Sequence, residues 1–302
     1  MKKTYLIILT FSTWFLILSC ANERNEEQKE ANMTEVVNKH GNSDNLNISF
    51  LLDLSDRIDP KKYPNESMQF YLRDVAYIKS VSEAFDTHLR TKKVRQMNDK
   101  MQVYFDPEPQ NQNINAISND LRYSVTRENA SLDLLDKIKN TYASEPLKIY
   151  ELAIKDDNYV GSDTWKFFKT KVKDFCIEEN YRNILIILTD GYIYHKDTKM
   201  KEGNLTSYLT PQDIREFSLN DKNWRSKIDE KEIGFIPATE ELENLEILVL
   251  GINPDPKNPY EEEVIRKFWG DWFDKMEVGR YAIKATALPS NMDKIITDFI
   301  LN

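Results

Sequence analysis

Apolar residues in this chain form two kinds of run. Short, strongly apolar stretches, rich in β-branched side chains and closed by polar residues or glycine, occupy 47–52, 183–188 and 245–252. Such runs mark strands buried on both faces of a parallel sheet. Met101 to Phe105 and Arg280 to Ala285 read as two further strands, and Leu121 to Thr126 as a weaker one. Between them apolar residues recur every three or four positions, the spacing of a helix with one buried face. Met68, Leu72, Val75, Ile78, Val81 and Phe85 predict a helix over Asn65 to Leu89. A second is expected over Leu132 to Tyr142, while Leu147 to Ile154 fits helix or strand. Ser162 or Asp163 can cap a third, with Trp165, Phe168, Val172 and Phe175 inward. Asn258-Pro259 and three glutamates start a fourth, faced by Val264, Ile265, Phe268, Trp269, Trp272, Phe273 and Met276. A last one is capped at Ser290 and carries Met292, Ile295, Ile296 and Phe299. Alternating strand and helix predicts an α/β fold, a doubly wound, mostly parallel sheet with helices on both faces, as one domain over 47–302.

One stretch departs from that rhythm. Residues 192–244 are polar overall and lie between the strands 183–188 and 245–252, too long for an ordinary connection. Tyr208, Leu209, Ile214, Phe217, Trp224, Ile228, Ile233, Phe235 and Ile236 recur within it. They predict an insertion that packs as a cap, its outer face beside the strand ends forming a recognition surface. Excising 196–240 is then expected to leave a folded domain.

The first and central strands both stop at an aspartate among hydroxyls, Asp53-Leu54-Ser55-Asp56-Arg57 and Thr189-Asp190-Gly191. In open α/β sheets ligands bind beyond the carboxyl ends of strands, so both aspartates belong to one functional edge. Hard oxygen donors gathered there suit magnesium or calcium.

Composition adds the compartment. Lys2 and Lys3 precede an apolar core from Tyr5 to Leu18, which ends Ser19-Cys20. This resembles a bacterial lipoprotein signal over 1–19, with Cys20 as the lipidated first residue of the mature chain; its 14-residue apolar core is short for a spanning helix, which needs about 20. Residues 20–46 hold few large apolar side chains and read as a disordered tether. Glu23, Glu26 and Glu27 resemble export signals of surface-displayed lipoproteins, and Ala21 is not the inner-membrane retention aspartate. These features place the chain in the bacterial cell envelope, on the outer membrane, with the face it occupies left open. With Cys20 lipidated, Cys176 has no disulfide partner, and three histidines give a zinc site or a catalytic triad little to work with. A net charge of −9 argues against nucleic acid as a partner.

The Asp loop after the first strand, Gly161-Ser162-Asp163-Thr164 before a helix, and Thr189-Asp190-Gly191 together resemble the von Willebrand factor A family, a Rossmann-type fold, over most of 47–301. The resemblance implies a metal-ion-dependent adhesion site built from Asp53 and Ser55 of a DxSxS-like loop, Thr164 and Asp190. It would hold Mg2+ and leave one coordination position for an acidic group of a partner protein or other envelope macromolecule. The family's second serine is Arg57 here, and a guanidinium has donors but no acceptor. Either Asp56 or water completes the shell around a cation, or Arg57 neutralises Asp53 and Asp190 and the motif is a metal-free interaction or structural scaffold. A non-enzymatic binding protein is therefore expected. The enzymatic alternative is an Asp-dependent phosphohydrolase of the haloacid dehalogenase type, with Asp53 as nucleophile and Asp56 as acid-base partner; it lacks a carboxylate at Ser55, two residues on. A solute-binding lipoprotein would show two similar lobes, and no repeated half is visible.

Overall fold

The computed structural model describes residues 44–302 apart from Val160. The lipoprotein signal, Cys20 and nearly all of the tether lie outside the described residues. Within them the strands and helices are β1 (Leu46–Leu52), α1 (Phe70–Thr91), β2 (Asn98–Tyr104), α2 (Gln112–Asp120), β3 (Tyr123–Thr126), α3 (Leu132–Asp156), α4 (Thr164–Thr170), α5 (Val172–Cys176), β4 (Arg182–Leu188), β5 (Lys201–Glu202), β6 (Leu205–Thr206), α6 (Pro211–Glu216), α7 (Trp224–Lys231), β7 (Gly234–Phe235), β8 (Leu245–Ile252), α8 (Glu261–Lys275), β9 (Arg280–Ala285) and α9 (Pro289–Leu301).

Six strands form the main sheet in the order β3-β2-β1-β4-β8-β9. All neighbouring pairs are parallel except β2 and β3. Side chains alternate across it. Ile48, Phe50, Leu52, Ile184, Ile186, Leu188, Leu248 and Leu250 enter a core with the inner faces of α1, α3 and α9. Leu51, Leu185, Ile187, Leu245, Ile247 and Val249 enter another with α4, α5 and α8. Covering both faces is why β1, β4 and β8 read as strongly apolar runs. The register sets Leu52 opposite Leu188 and Leu188 opposite Leu250, so β1, β4 and β8 end almost level and the following loops emerge together.

Several elements differ from the sequence reading. The helix expected from Asn65 begins at Phe70, and its buried stripe is Asp74, Tyr77, Ile78, Val81 and Phe85 rather than the line through Leu72 and Val75, which are only partly buried. Leu132 to Tyr142 and Leu147 to Ile154 are one helix, α3, running through the buried Pro146. The helix expected after Asp163 breaks at Lys171 into α4 and α5, which leaves Phe175 46% exposed and buries Phe167 in its place. Ser290 does not cap α9; Leu288 precedes it without a capping side chain, and Pro289 opens its first turn.

The segment between β4 and β8 is not a detachable cap. It contains a small sheet in the order β5-β6-β7 and two short helices. Leu209, Ile214, Leu219, Trp224, Ile228, Ile233, Phe235 and Ile236 are buried in the same core as β8 and α8. Phe235 meets Phe268 at 5.4 Å and Trp272 at 5.2 Å between ring centroids. The indoles of Trp165 and Trp272 both donate to the Ile236 carbonyl, at 2.8 and 3.0 Å. Cys176 is buried and free, and burial pushes its thiol up to about 12. No helix of the described residues is long and apolar enough to cross a membrane.

Candidate functional site

The site is built where strand order reverses. β1 leads through α1 to β2 on one side, while β4, β8 and β9 continue on the other; such a switch point opens a crevice beyond the strand ends. Asp53 continues β1 and donates its N–H to the Leu188 carbonyl at 3.1 Å, pinning the two strand ends together. Thr189 binds β8 the same way, through the Leu250 carbonyl at 3.1 Å.

Asp53 is buried and its carboxylate is fully engaged. Oδ1 accepts the Ser55 N–H at 2.9 Å, and Oδ2 accepts the Thr189 hydroxyl at 3.0 Å. Oδ2 also faces Arg57 Nε at 3.4 Å. The Arg57 side chain is only 5% exposed and runs inward rather than into solvent. One terminal nitrogen donates to Asp74 Oδ2 at 2.6 Å and to the Leu188 carbonyl at 2.9 Å. Tyr150 of α3 closes the network by donating to Asp74 Oδ2 at 3.0 Å. One guanidinium therefore joins the β1 loop, the end of β4 and α1. Its carboxylate neighbours hold it charged, well above the ordinary arginine range despite burial.

Asp190 stands apart from that network. It is partly buried, and among the described residues its carboxylate accepts one hydrogen bond, from the Tyr192 N–H at 3.1 Å on Oδ1. Burial and the Asp53 charge push its carboxyl up to about 7, against the opposing pull of Arg57. Such an acid binds its proton more tightly folded than unfolded, so its contribution to stability is full in acid and is lost as pH rises from about 4 to 7. In chelator, the melting temperature is expected to fall across that window, and Asp190→Asn should flatten the decline. An unchanged slope in the variant would place the titrating group elsewhere.

Two glycines shape the loops. Gly191 has φ +99°, and a Cβ there would lie 2.6 Å from Ile265 and 2.8 Å from Ile252, so only glycine lets α8 close on the Thr189-Asp190 turn. Trp269 seals that approach by donating to the Gly191 carbonyl at 2.8 Å. Gly161, at φ +85°, brings its loop against the Tyr194 carbonyl, which a Cβ would meet at 2.5 Å.

Between these loops lies a cleft of about 450 Å³, lined by Ser55, Asp56, Arg57, Ser162, Asp190 and Asp255 with Tyr63, Tyr192 and Tyr194. The sequence-derived residues Asp53, Ser55, Asp56, Arg57 and Asp190 thus come together. Thr164 is buried at the start of α4, its hydroxyl 3.2 Å from that of Ser162, and Ser162 is the one that lines the cleft. The sequence reading missed Asp74, Tyr150 and the three tyrosines. Asp74 was detectable in principle, since it lies four residues before Ile78 on the stripe that α1 buries.

A divalent cation fits this donor set poorly. Asp53 has its oxygens engaged by an N–H, a hydroxyl and a guanidinium, and Arg57 brings a fixed positive charge where the family pattern supplies a serine oxygen. Among the described residues no group of three or more histidine, cysteine, aspartate or glutamate side chains is placed to hold a metal ion.

No protein-family model matches the chain, and no curated protein matches it. Solved structures do. A conserved hypothetical protein, BatB, from Bacteroides thetaiotaomicron aligns over 85% of this chain and 97% of its own, at 12% identity and a TM-score of 0.37. The pilus adhesin SpaC from Lactobacillus rhamnosus GG aligns over 87% of this chain at 12% identity and a TM-score of 0.40. Its open conformation scores 0.38. The chain matches about a third of the adhesin's length, 31%.

Proposed function

We propose that this chain is a lipid-anchored, non-enzymatic binding protein of the bacterial cell envelope, whose von Willebrand factor A-like domain recognises another protein at the carboxyl edge of its sheet without a resident cation. The strand order and the two aspartate-ended strands support the family likeness. The long segment after the Thr189-Asp190-Gly191 turn is then an insertion relative to that pattern, one that has become part of the core. The observation that carries the metal-free reading is Arg57, whose buried guanidinium bridges Asp53 and Asp74 beside the place a cation would take. A phosphohydrolase is disfavoured because Asp53 is buried with both oxygens already engaged, which suits an anchor better than a nucleophile. Recognition at this edge is favoured by the rim. Tyr63 and Tyr194 are each 45% exposed, and aromatic side chains left in water beside a cleft mark binding surfaces more often than isolated apolar residues do.

A photo-crosslinking amino acid tests this in cells. Placed at 194 in the full chain, it should yield a discrete adduct that survives chelation, and the chain should stay with the membrane fraction until Cys20 is replaced by alanine. The same probe at Leu132 should yield none. That residue is exposed beyond β3, at the opposite edge of the sheet, since Thr126 pairs with Asn98 at the start of β2. Adducts from 132 alone, or adducts from 194 abolished by chelator, would contradict the reading.

A further inference from the structure

We propose that the cleft beyond β1 and β4 receives a lysine or arginine side chain of the partner protein. This rests on the binding role proposed above and adds the chemistry of the ligand. In the family that the sequence resembles, a bound cation seeks a carboxylate; without one, the polarity of the site reverses. Among the described residues the only cation lining the cleft, Arg57, is held between Asp74 and Asp53. Asp190 has no ion-pair partner within 4 Å among the described residues, and its Oδ2 accepts no hydrogen bond from them. The other lining carboxylates, Asp56 and Asp255, are partly exposed, and Asp255 Oδ1 accepts the Lys257 N–H at 3.0 Å. Lys62 reaches Asp56 at 3.2 Å across exposed surface, and Arg215 stands 3.6 Å from Asp255. Behind the wall, the Tyr192 hydroxyl donates at 2.6 Å to the buried Glu261. Lys199 lies over rings rather than on a carboxylate, 4.5 Å from the Tyr208 centroid and 5.8 Å from that of Tyr194. Among the lining residues Asp56, Asp190 and Asp255 outnumber Arg57.

Shape agrees with charge. About 450 Å³ accommodates one long side chain. Tyr63, Tyr192 and Tyr194 with Pro254 and Pro256 offer apolar walls to an aliphatic stem, and ring faces attract the charged head. The Lys199 ammonium above Tyr194 and Tyr208 shows that this wall already accepts a cation of the chain itself. An acidic partner group would meet Asp190, Asp56 and Asp255, while the lining cation Arg57 is already held by Asp53 and Asp74.

Fluorescence anisotropy on the full chain in non-ionic detergent tests the proposal, with a tetralysine peptide carrying a neutral dye and its tetraglutamate counterpart. Tetralysine should bind equally with chelator and with magnesium. Asp190→Asn with Asp255→Asn should weaken it about tenfold or more, the order expected on losing charge partners in a partly desolvated site. Glu128→Gln with Asp133→Asn removes the same charge from exposed positions at the opposite edge and should change little; Tyr194→Ala should weaken binding in the full-charge protein. No tetralysine binding, or equal losses from both double variants, would overturn the cationic ligand while leaving the 194 adduct intact. Magnesium-dependent capture of tetraglutamate would overturn both that ligand and the metal-free reading.

Discussion

Replacing Arg57 with methionine is expected to lower the stability of the domain by about 3–5 kcal/mol, the usual cost of breaking a buried ion pair from one side. Methionine keeps much of the side-chain volume, so the loss is one of charge and hydrogen bonds rather than of packing. The guanidinium is 5% exposed and its partners Asp53 and Asp74 are 3% and 2% exposed, so neither carboxylate can turn to water when it goes. Asp74 would then take up a proton more readily, and the deficit should shrink as pH falls. Burial already raises the Asp74 carboxyl against the pull of Arg57, so removing that pull acts in the same direction. Adding Asp74→Asn to the methionine variant should recover part of the loss, since the two residues act as a unit. Urea denaturation of the four combinations reads this directly. A methionine variant within 1 kcal/mol of wild type, on the scale of surface substitutions, would mean the network is not buried as described.

Excising 196–240 and closing the gap with a short Gly-Ser turn is expected to unfold the domain. The removed stretch includes Leu209, Ile214, Leu219, Trp224, Ile228, Phe235 and Ile236, all buried. At about 1.5–3 kcal/mol for each large apolar side chain buried, the loss rivals the entire stability of an ordinary domain, about 5–15 kcal/mol. It would also strip cover from Phe268 and Trp272 on α8, which pack on Phe235. Trp272→Ala is the gentler version. It removes a fully buried ring and its bond to the Ile236 carbonyl, and should cost about 3–5 kcal/mol. Circular dichroism melting distinguishes the cases; a truncated chain that melts cooperatively near the wild-type temperature would show that the segment is a cap after all.

These two regions mark how far the sequence could be read. β1, β4 and β8 are legible because strands covered on both faces must be largely apolar, and the aspartates that follow β1 and β4 are conspicuous for the same reason. The helices α1 and α8 announce themselves by spacing, and Ile78, Val81 and Phe85 face inward as that spacing predicts, but the buried stripe of α1 also takes in Asp74 and Tyr77. Its deepest position near the site is Asp74, and a polar residue on a buried stripe looks like solvent-facing surface until its partner Arg57 is found, 17 residues away in sequence. Helix α3 was divided because Pro146 has no N–H to donate, although the helix continues through it. In the segment after β4, strands of two residues such as β5, β6 and β7 are too short to show any period. Arg57 was recognised as the departure from the family pattern. Its direction was not legible, because an arginine after an Asp-Ser loop can point to solvent or to a buried acid.

The account turns on that direction, and one melting experiment bears on it most directly. The full chain, stripped with chelator and held in detergent, is heated with and without millimolar magnesium or manganese, beside Arg57→Ser, which restores the oxygen donor of the family pattern. A ligand that binds only the folded state must raise its melting temperature. The wild type is expected to show no response to either ion, and any metal-induced rise should belong to the serine variant. A wild-type midpoint that climbs with magnesium, and ceases to climb in Asp190→Ala, would put a cation where Arg57 is claimed to stand in for one.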